Sequence, residues 1–326
     1  METRLSVFSE RRLRIDAESV CQNLVNKLKK DILYNLNRKF AVVGISGGID
    51  SSVTLALAVR ALGPDHVIGV ILPERDSSPE SQKYAQQLAE KFGVKTIVED
   101  ISDALKGLGC YRRRDEAIAR VVPGFDPDTD RAKIVIKQNI ESSIPAIFSV
   151  VAIKPNGKQY TRLLPAKEYL EIVAATNFKQ RTRMSMLYFH AERLHAAVVG
   201  TPNKHEVEQG FFVKHGDGAA DIMPIGGLYK TQVYQLANFL GVPAEIIKRT
   251  PTTDTYTAEQ TQEEFFYQLP FEMMDLLWHA WENEYPAEIL AEELDKPATK
   301  IKNIYQSFER KRKATSYLRM APIFYK

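Results

Sequence analysis

Gly44-Ile45-Ser46-Gly47-Gly48-Ile49-Asp50-Ser51-Ser52 decides how the rest of this chain is read. The residues before it, Phe40-Ala41-Val42-Val43, form a short apolar run of the kind found in buried parallel strands. Behind it, Val53 to Leu62 reads as a helix that stops at Gly63-Pro64. A strand, a glycine-rich turn and a helix in this order make a phosphate cradle. Glycines let the backbone approach an oxyanion, and the free N–H groups of the first helical turn point at it. Ser46, Ser51 and Ser52 add hydroxyl donors. Asp50 is the odd member, because a carboxylate repels phosphate unless a cation lies between them, and it therefore implies Mg²⁺. The stretch contains no lysine, which separates it from the common Gly-Lys-Ser/Thr nucleotide loop.

Composition narrows the classes. The chain has 326 residues, enough for one large α/β domain. A net charge of +3 gives no ground for a nucleic-acid partner. Cys21 and Cys110 lie far apart, with neither metal spacing nor a disulfide framework, which suits a reducing cytoplasm. The N-terminus lacks an apolar signal core, and no apolar run approaches membrane-spanning length.

Outward from the loop, residues 14–36 carry apolar side chains at near-helical spacing and read as an amphipathic cover helix. His66 to Pro73 is a second strand with the exit loop Glu74 to Pro79. Glu80 to Phe92 is a helix ended by Gly93, and Val94 to Val98 is a third strand. Such βα succession predicts an α/β fold with a doubly wound parallel sheet and flanking helices, and nucleotides bind at the carboxyl ends of its strands. The backbone after Leu72 is thus placed to receive an adenine.

From about 103 to 175 the pattern changes. Asn156-Gly157 between two β-type runs predicts a hairpin in an inserted segment. The run Tyr111-Arg112-Arg113-Arg114-Asp115 reads as a solvated basic face. Asn177 to His195 returns to helix, with Arg181, Met184, Leu187, Tyr188, Ala191 and Leu194 on one face and Arg183 pointing away. An arginine on an apolar face needs an anion, supplied by the fold or by a substrate. Ala196 to Thr201 is a fourth strand. The stretch to Asp221 then carries more charge than a plain loop requires. Asp217 is assigned to a turn. Tyr229 to Leu240 is a helix, and residues 262–326 form a helical C-terminal part ending in a basic run, Arg310 to Lys313.

Ser46-Gly47-Gly48-x-Asp50-Ser51 resembles the pyrophosphate loop of the ATP pyrophosphatases, a Rossmann-like superfamily. Gly200-Thr201-x-Asn203-Lys204-x-Glu206 and Gly210-Phe211-Phe212-x-Lys214-x-Gly216-Asp217-Gly218-x-x-Asp221 narrow the resemblance. With Pro224, Leu228-x-Lys230, Asn177-x-x-x-Arg181-Thr182-Arg183-Met184 and Pro251-Thr252, they resemble the NAD synthetases of the ammonia-dependent type. The resemblance covers about 14–100 and 175–265 and the basic C-terminal stretch. It implies one domain over 1–326, with ATP adenylylating the carboxylate of deamido-NAD and ammonia displacing AMP. It implies that Gly44, Ile45, Ser46, Gly47, Gly48, Ile49, Asp50 and Ser51, with Thr201, Lys230 and Thr252, hold ATP. Asp50 and Glu206 would take Mg²⁺. Arg181, Lys214, Asp221, Arg310 and Lys311 would meet deamido-NAD, with Asp50 and Lys214 in catalytic roles.

Two departures stand out. Gln262 replaces an acidic residue common in the family, and the 103–175 insertion is extra. Both leave open an amide ligase acting on nicotinic acid mononucleotide or another carboxylate. A non-catalytic nucleotide-binding protein on the same scaffold is opposed by the retained charges of Asp50, Glu206, Arg181, Lys214 and Lys230. The roughly 40 residues before the first strand are too few for a glutaminase domain. Free ammonia is therefore the expected donor, with a separate glutaminase as the other source. The family resemblance also suggests a homodimer, for which helical surface such as Leu277 to Trp281 is a candidate unless it packs internally.

Overall fold

A computed structural model describes residues 12–137, 147–251, 256–258, 261 and 269–325. Helix α1 (Ala17–Lys30) begins at Asp16, whose carboxylate accepts the Ser19 N–H, and ends with Lys27, Lys29 and Lys30 against its negative pole. It widens into a π turn over Asp31–Asn35, so the amphipathic stretch is one helix with a loosened end. Strand β1 (Phe40–Gly44) leads into α2 (Ile49–Leu62). This helix starts four residues earlier than the apolar periodicity places it, so Asp50, Ser51 and Ser52 sit in its first turn. Strand β2 (Val67–Ile71), α3 (Pro79–Phe92) and β3 (Lys95–Val98) follow, with Gly93 closing α3 in the left-handed conformation.

The inserted segment is larger than a hairpin. Helices α4 (Ser102–Gly107) and α5 (Cys110–Val121) precede β4 (Arg131–Lys137), β5 (Ile147–Ile153) and β6 (Gln159–Leu163). The β5–β6 hairpin turns at Asn156-Gly157 as expected, but β4 pairs with β5 to make a three-stranded antiparallel sheet. Helix α6 (Ala166–Leu194) runs for 29 residues, beginning well before the predicted Asn177. Its first half packs into the insertion's own core, where Ile172 joins Ala117, Ile118, Ile134 and Val150. Its second half packs on the main sheet through Met184, Leu187 and Ala191.

Strand β7 (Ala196–Val199) pairs with β1, in register from Phe40↔Ala196 to Val43↔Val199, and completes a parallel sheet of order β3-β2-β1-β7. The strand order reverses at β1, which opens a crevice at the carboxyl ends of β1 and β7. Helices α7 (Lys204–Gln209), α8 (Lys230–Leu240) and α9 (Ala244–Lys248) follow β7. Helices α10 (Phe271–Glu282), α11 (Ala287–Leu294) and α12 (Ala298–Ala314) then build a separate apolar cluster around Trp278, Leu277, Ile304 and Phe308. Leu277 and Trp278 are buried within the subunit and do not form a free surface. No described helix is long and apolar enough to cross a membrane.

A buried cluster of charges welds the insertion to the α/β core. Lys179 of α6, only 1% exposed, donates to Glu74 Oε1 at 2.9 Å and to Asp76 Oδ2 at 2.8 Å. Arg114 of α5, 3% exposed, donates to the same Asp76 oxygen at 2.6 Å and to Asp115. The Tyr111 hydroxyl donates to Glu74 Oε2 at 2.8 Å. The basic run is therefore not wholly solvated: Arg114 turns inward because carboxylates of the β2 exit loop wait there. Burial alone would raise the Asp76 carboxyl, but Lys179 and Arg114 outweigh it and hold it well below the usual carboxylate range.

Removing one partner from such a cluster leaves buried charge uncompensated. Lys179→Met is expected to cost about 3–5 kcal/mol in urea unfolding, and a loss within about 1 kcal/mol would contradict the cluster's role. Because the folded-state value of Asp76 is lowered, its share of stability is present above the ordinary aspartate value of 3.8 and is lost only as pH falls below it.

Candidate active site

The glycine loop sits at the carboxyl end of β1 and is shaped by its own serines. Ser51 Oγ and Ser52 Oγ both donate to the Gly48 carbonyl, at 3.0 and 2.8 Å, and Ser51 Oγ accepts the Ser46 N–H at 3.3 Å. Ser51 and Ser52 thus brace the turn, instead of offering their protons to a ligand as the sequence suggests. Gly47 has φ of +72°, and a Cβ there would lie 2.5 Å from the Ser81 carbonyl oxygen and 2.9 Å from Tyr84 Cβ. Only glycine lets the loop lie this close to α3.

The loop opens on a cleft of about 280 Å³ at the strand-order reversal. Gly44, Ile45, Ser46, Gly48, Ile49, Asp50 and Ser51 line it from one side, with Leu72, Pro73 and Ser77 from the β2 exit and Thr201 and Glu206 from the β7 exit. Two residues from other elements converge on Asp50, the expected Lys230 and Asn203, to which the sequence assigned no role. Lys230, fully buried at the start of α8, donates to Asp50 Oδ2. Asn203 Nδ2 donates to Asp50 Oδ1 at 3.1 Å.

Glu206 is placed by a capping box. Its N–H donates to Asn203 Oδ1 at 3.2 Å, and the Asn203 N–H donates to Glu206 Oε2 at 2.9 Å. Asn203 therefore fixes both acids at once. Burial and the neighbouring Asp50 charge push the Glu206 carboxyl well above the usual range. Burial pulls on the Lys230 ammonium too, but Asp50 and Glu206 outweigh it and raise its pKa.

These groups suit a hard divalent cation. Asp50 and Glu206 face one cleft beside the Lys230 ammonium, and the surroundings of Glu206 disfavour its ionised form. Among the described residues no group of three or more His, Cys, Asp or Glu is placed to hold a metal ion. A donor set of two acids matches Mg²⁺, which takes one or two carboxylates and completes its shell with phosphate oxygens and water.

The arginines differ from expectation. Arg183 faces the cleft with Gln180, Met184 and Leu187, and its Nε donates to the Leu72 carbonyl at 3.3 Å. Positions 180, 183, 184 and 187 recur at helical spacing and form the cleft face of α6. Arg181 lies on the neighbouring face, where its Nε donates to the Lys214 carbonyl at 3.3 Å. A backbone carbonyl, not a carboxylate, receives it there. Arg249 also lines the cleft, with Nη2 donating to Ser81 Oγ at 2.9 Å, and no sequence signal marks it.

Other expected residues stand apart from this cleft. Lys214 Nζ donates to the Tyr317 and Met320 carbonyls, at 2.8 and 3.1 Å. Asp221 accepts the Val198 N–H at 2.8 Å and the Tyr188 hydroxyl at 3.0 Å, and it borders a second cavity of about 410 Å³ with Leu36, Arg38 and His195. Arg310 is exposed and bonded to its own helix through Gln306. Lys311 donates to Gln209 Oε1 at 3.3 Å, and burial pulls its ammonium down to about 7. Asp217 does take the turn role, accepting the Val213 N–H at 2.8 Å, and it also reaches the cleft, where burial pushes it up to about 6. Thr252 and Gln262 lie outside the described residues.

Comparisons with known proteins bear on the family and the fold. A family profile described as NAD synthase matches residues 20–122 and 114–315. The NH(3)-dependent NAD(+) synthetase of Rhizobium meliloti is 48% identical over 316 residues, covering 97% of this chain and 94% of the relative. The enzyme of the same description from Thermotoga maritima is 36% identical over 293 residues, covering 90% and 96%. Among solved structures, an NMN synthetase from Francisella tularensis superposes with a TM-score of 0.64 at 22% identity, over 95% of this chain and 99% of that one. An NH3-dependent NAD synthetase from Campylobacter jejuni gives 0.61 at 18%, over 96% and 100%. At such identities these two bear on the fold alone. The fold is that of the ATP pyrophosphatases, and the chain belongs to the NAD synthase family of ligases.

Proposed function

We propose that this chain makes NAD from deamido-NAD, ATP and ammonia, releasing AMP and pyrophosphate. The convergence of Asp50, Lys230 and Glu206 at the mouth of the glycine loop carries the reading. The same constellation is expected for any member of a ligase family that must bring a triphosphate against a second anion. Residues Gly44 to Ser51, with Thr201, Lys230 and Thr252, hold ATP. A carboxylate oxygen of deamido-NAD attacks the α-phosphorus, and the bond to the pyrophosphate oxygen breaks. Ammonia then attacks the activated carbonyl carbon. AMP departs with the bridging oxygen, and the new amide nitrogen loses a proton to solvent.

Asp50 and Glu206 would hold Mg²⁺, which would supply charge neutralisation at the phosphates. Lys230 donates to Asp50 Oδ2 and so orients that carboxylate in the cleft before the nucleotide arrives. Arg181, Lys214, Asp221, Arg310 and Lys311 are proposed to serve deamido-NAD. For Lys214, as binder or as catalytic clamp, this requires exchanging the Tyr317 and Met320 carbonyls for substrate oxygens. The whole chain from 1 to 326 is proposed to act as one synthetase domain. It would work as a cytoplasmic homodimer, with free ammonia as nitrogen donor and a separate glutaminase as the other source to test.

Purified protein given ATP, Mg²⁺, ammonium and deamido-NAD is expected to form NAD, AMP and pyrophosphate in equal amounts. Formation of ADP, or preference for nicotinic acid mononucleotide in a parallel assay, would contradict the assignment. Asp50→Asn should lower kcat by at least about 10²–10³ with an unchanged fold, and near-normal turnover would overturn the metal and phosphate roles. The raised Glu206 value means that the folded, cation-free protein holds a proton that the unfolded chain releases from about its ordinary 4.5. Stability should therefore fall as pH rises between about 5 and 8, and Glu206→Gln should flatten that fall in urea midpoints. Identical pH profiles for the two proteins would contradict the assignment of the buried acid.

A further inference from the structure

Neither the metal acids nor the phosphate lysine account for a second buried pair behind them. His205 Nε2 lies 2.6 Å from Asp275 Oδ1, and both side chains are essentially inaccessible, at 0% exposure for each residue. The other Asp275 oxygen accepts the Thr231 N–H at 2.7 Å, at the start of α8. On the far side of the imidazole, Gln209 Nε2 lies 3.2 Å from His205 Nδ1. An amide N–H facing Nδ1 makes that nitrogen the acceptor and assigns the ring proton to Nε2, pointing at Asp275.

The two elements joined here are the ones that carry the site. His205 is the neighbour of Glu206 on α7, and Thr231 is the neighbour of Lys230 on α8. Helix α7 has only six residues, so its own hydrogen bonds cannot fix its place against the sheet. Its position must come from contacts with other elements. Asp275 supplies one from α10, and the helix dipole of α8 favours a carboxylate at this place. One carboxylate thus ties down the residues next to a proposed metal ligand and a proposed phosphate contact. A displacement of about 1 Å at either would be felt in nucleotide binding.

We propose that His205 and Asp275 are positioning residues that set the separation of Glu206 and Lys230 and hence the affinity for the metal–nucleotide complex. This rests on the functional reading above, and the ligand class is a nucleoside triphosphate with a divalent cation. The test is calorimetric titration of the full chain with α,β-methylene-ATP and Mg²⁺, which reads binding without turnover. His205→Leu fills the buried slot with an apolar side chain but loses the hydrogen bonds. His205→Gln keeps a donor toward Asp275, and Asp275→Asn keeps the volume while removing the charge.

The dissociation constant should rise by about tenfold or more for His205→Leu and for Asp275→Asn, and return to within about threefold of the unaltered chain for His205→Gln. A purely structural role would lower the melting temperature and the fraction of competent protein, but would leave the dissociation constant of the folded fraction unchanged. Binding by the folded His205→Leu protein within about threefold of the unaltered chain would overturn the proposal, as would a His205→Gln protein that binds no better than His205→Leu. Should Asp275→Asn not fold, the histidine pair alone decides. An unaltered chain that fails to bind the analogue would instead strike the functional reading.

Discussion

Three charged side chains from three parts of the chain meet at the end of β1, and the rest of the molecule is arranged so that they can. Asp50 is carried by the first turn of α2, Glu206 by α7 and Lys230 by α8. Two carboxylates brought this close repel, and neither would stay in place on an exposed loop. Asn203 bonds to both, through the Asp50 carboxylate and the Glu206 capping box, and Lys230 neutralises one of them from a fully buried position. The residual imbalance falls on Glu206, whose carboxyl resists ionisation. A divalent cation arriving with a triphosphate, as proposed, would favour its ionised form.

The parts of this arrangement that rest on local chemistry were legible in the sequence. The loop from Gly44 to Ser52 announces strand, turn and helix start by residue type alone. Gly93 ends α3, and Asn156-Gly157 turns the β5–β6 hairpin, for equally local reasons. The position of Glu206 could have been argued further, since Asn203-x-x-Glu206 is a capping-box pattern. What the sequence hid were the pairings over distance. Arg114 looks like a member of a solvated basic run until Asp76 is placed beside it, and nothing near Lys179 marks it as a buried cation. Arg183 faces the cleft although the periodicity points it away, because periodicity locates an apolar stripe without saying which edge of it borders the cleft.

The insertion has a physical consequence beyond added mass. Its helix α5 and the long helix α6 clamp the exit loop of β2 through Tyr111, Arg114 and Lys179. That loop contributes Pro73, Ser77 and Ser78 to the wall of the cleft. That wall is held by buried charges that balance one another. The C-terminal segment is fastened differently, through backbone carbonyls. Lys214 holds the carbonyls of Tyr317 and Met320, and Arg319 donates to the Val207 and Glu208 carbonyls at the end of α7.

The charged site is proposed to direct a carboxylate oxygen onto the α-phosphorus of ATP. Following that oxygen tests it most directly. Deamido-NAD labelled with ¹⁸O in its pyridine carboxylate should transfer one labelled oxygen to AMP for each NAD formed, as read by mass spectrometry of the nucleotide. Unlabelled AMP, or label recovered in inorganic phosphate, would mean that the carboxylate is activated in another way, and the claim would fail.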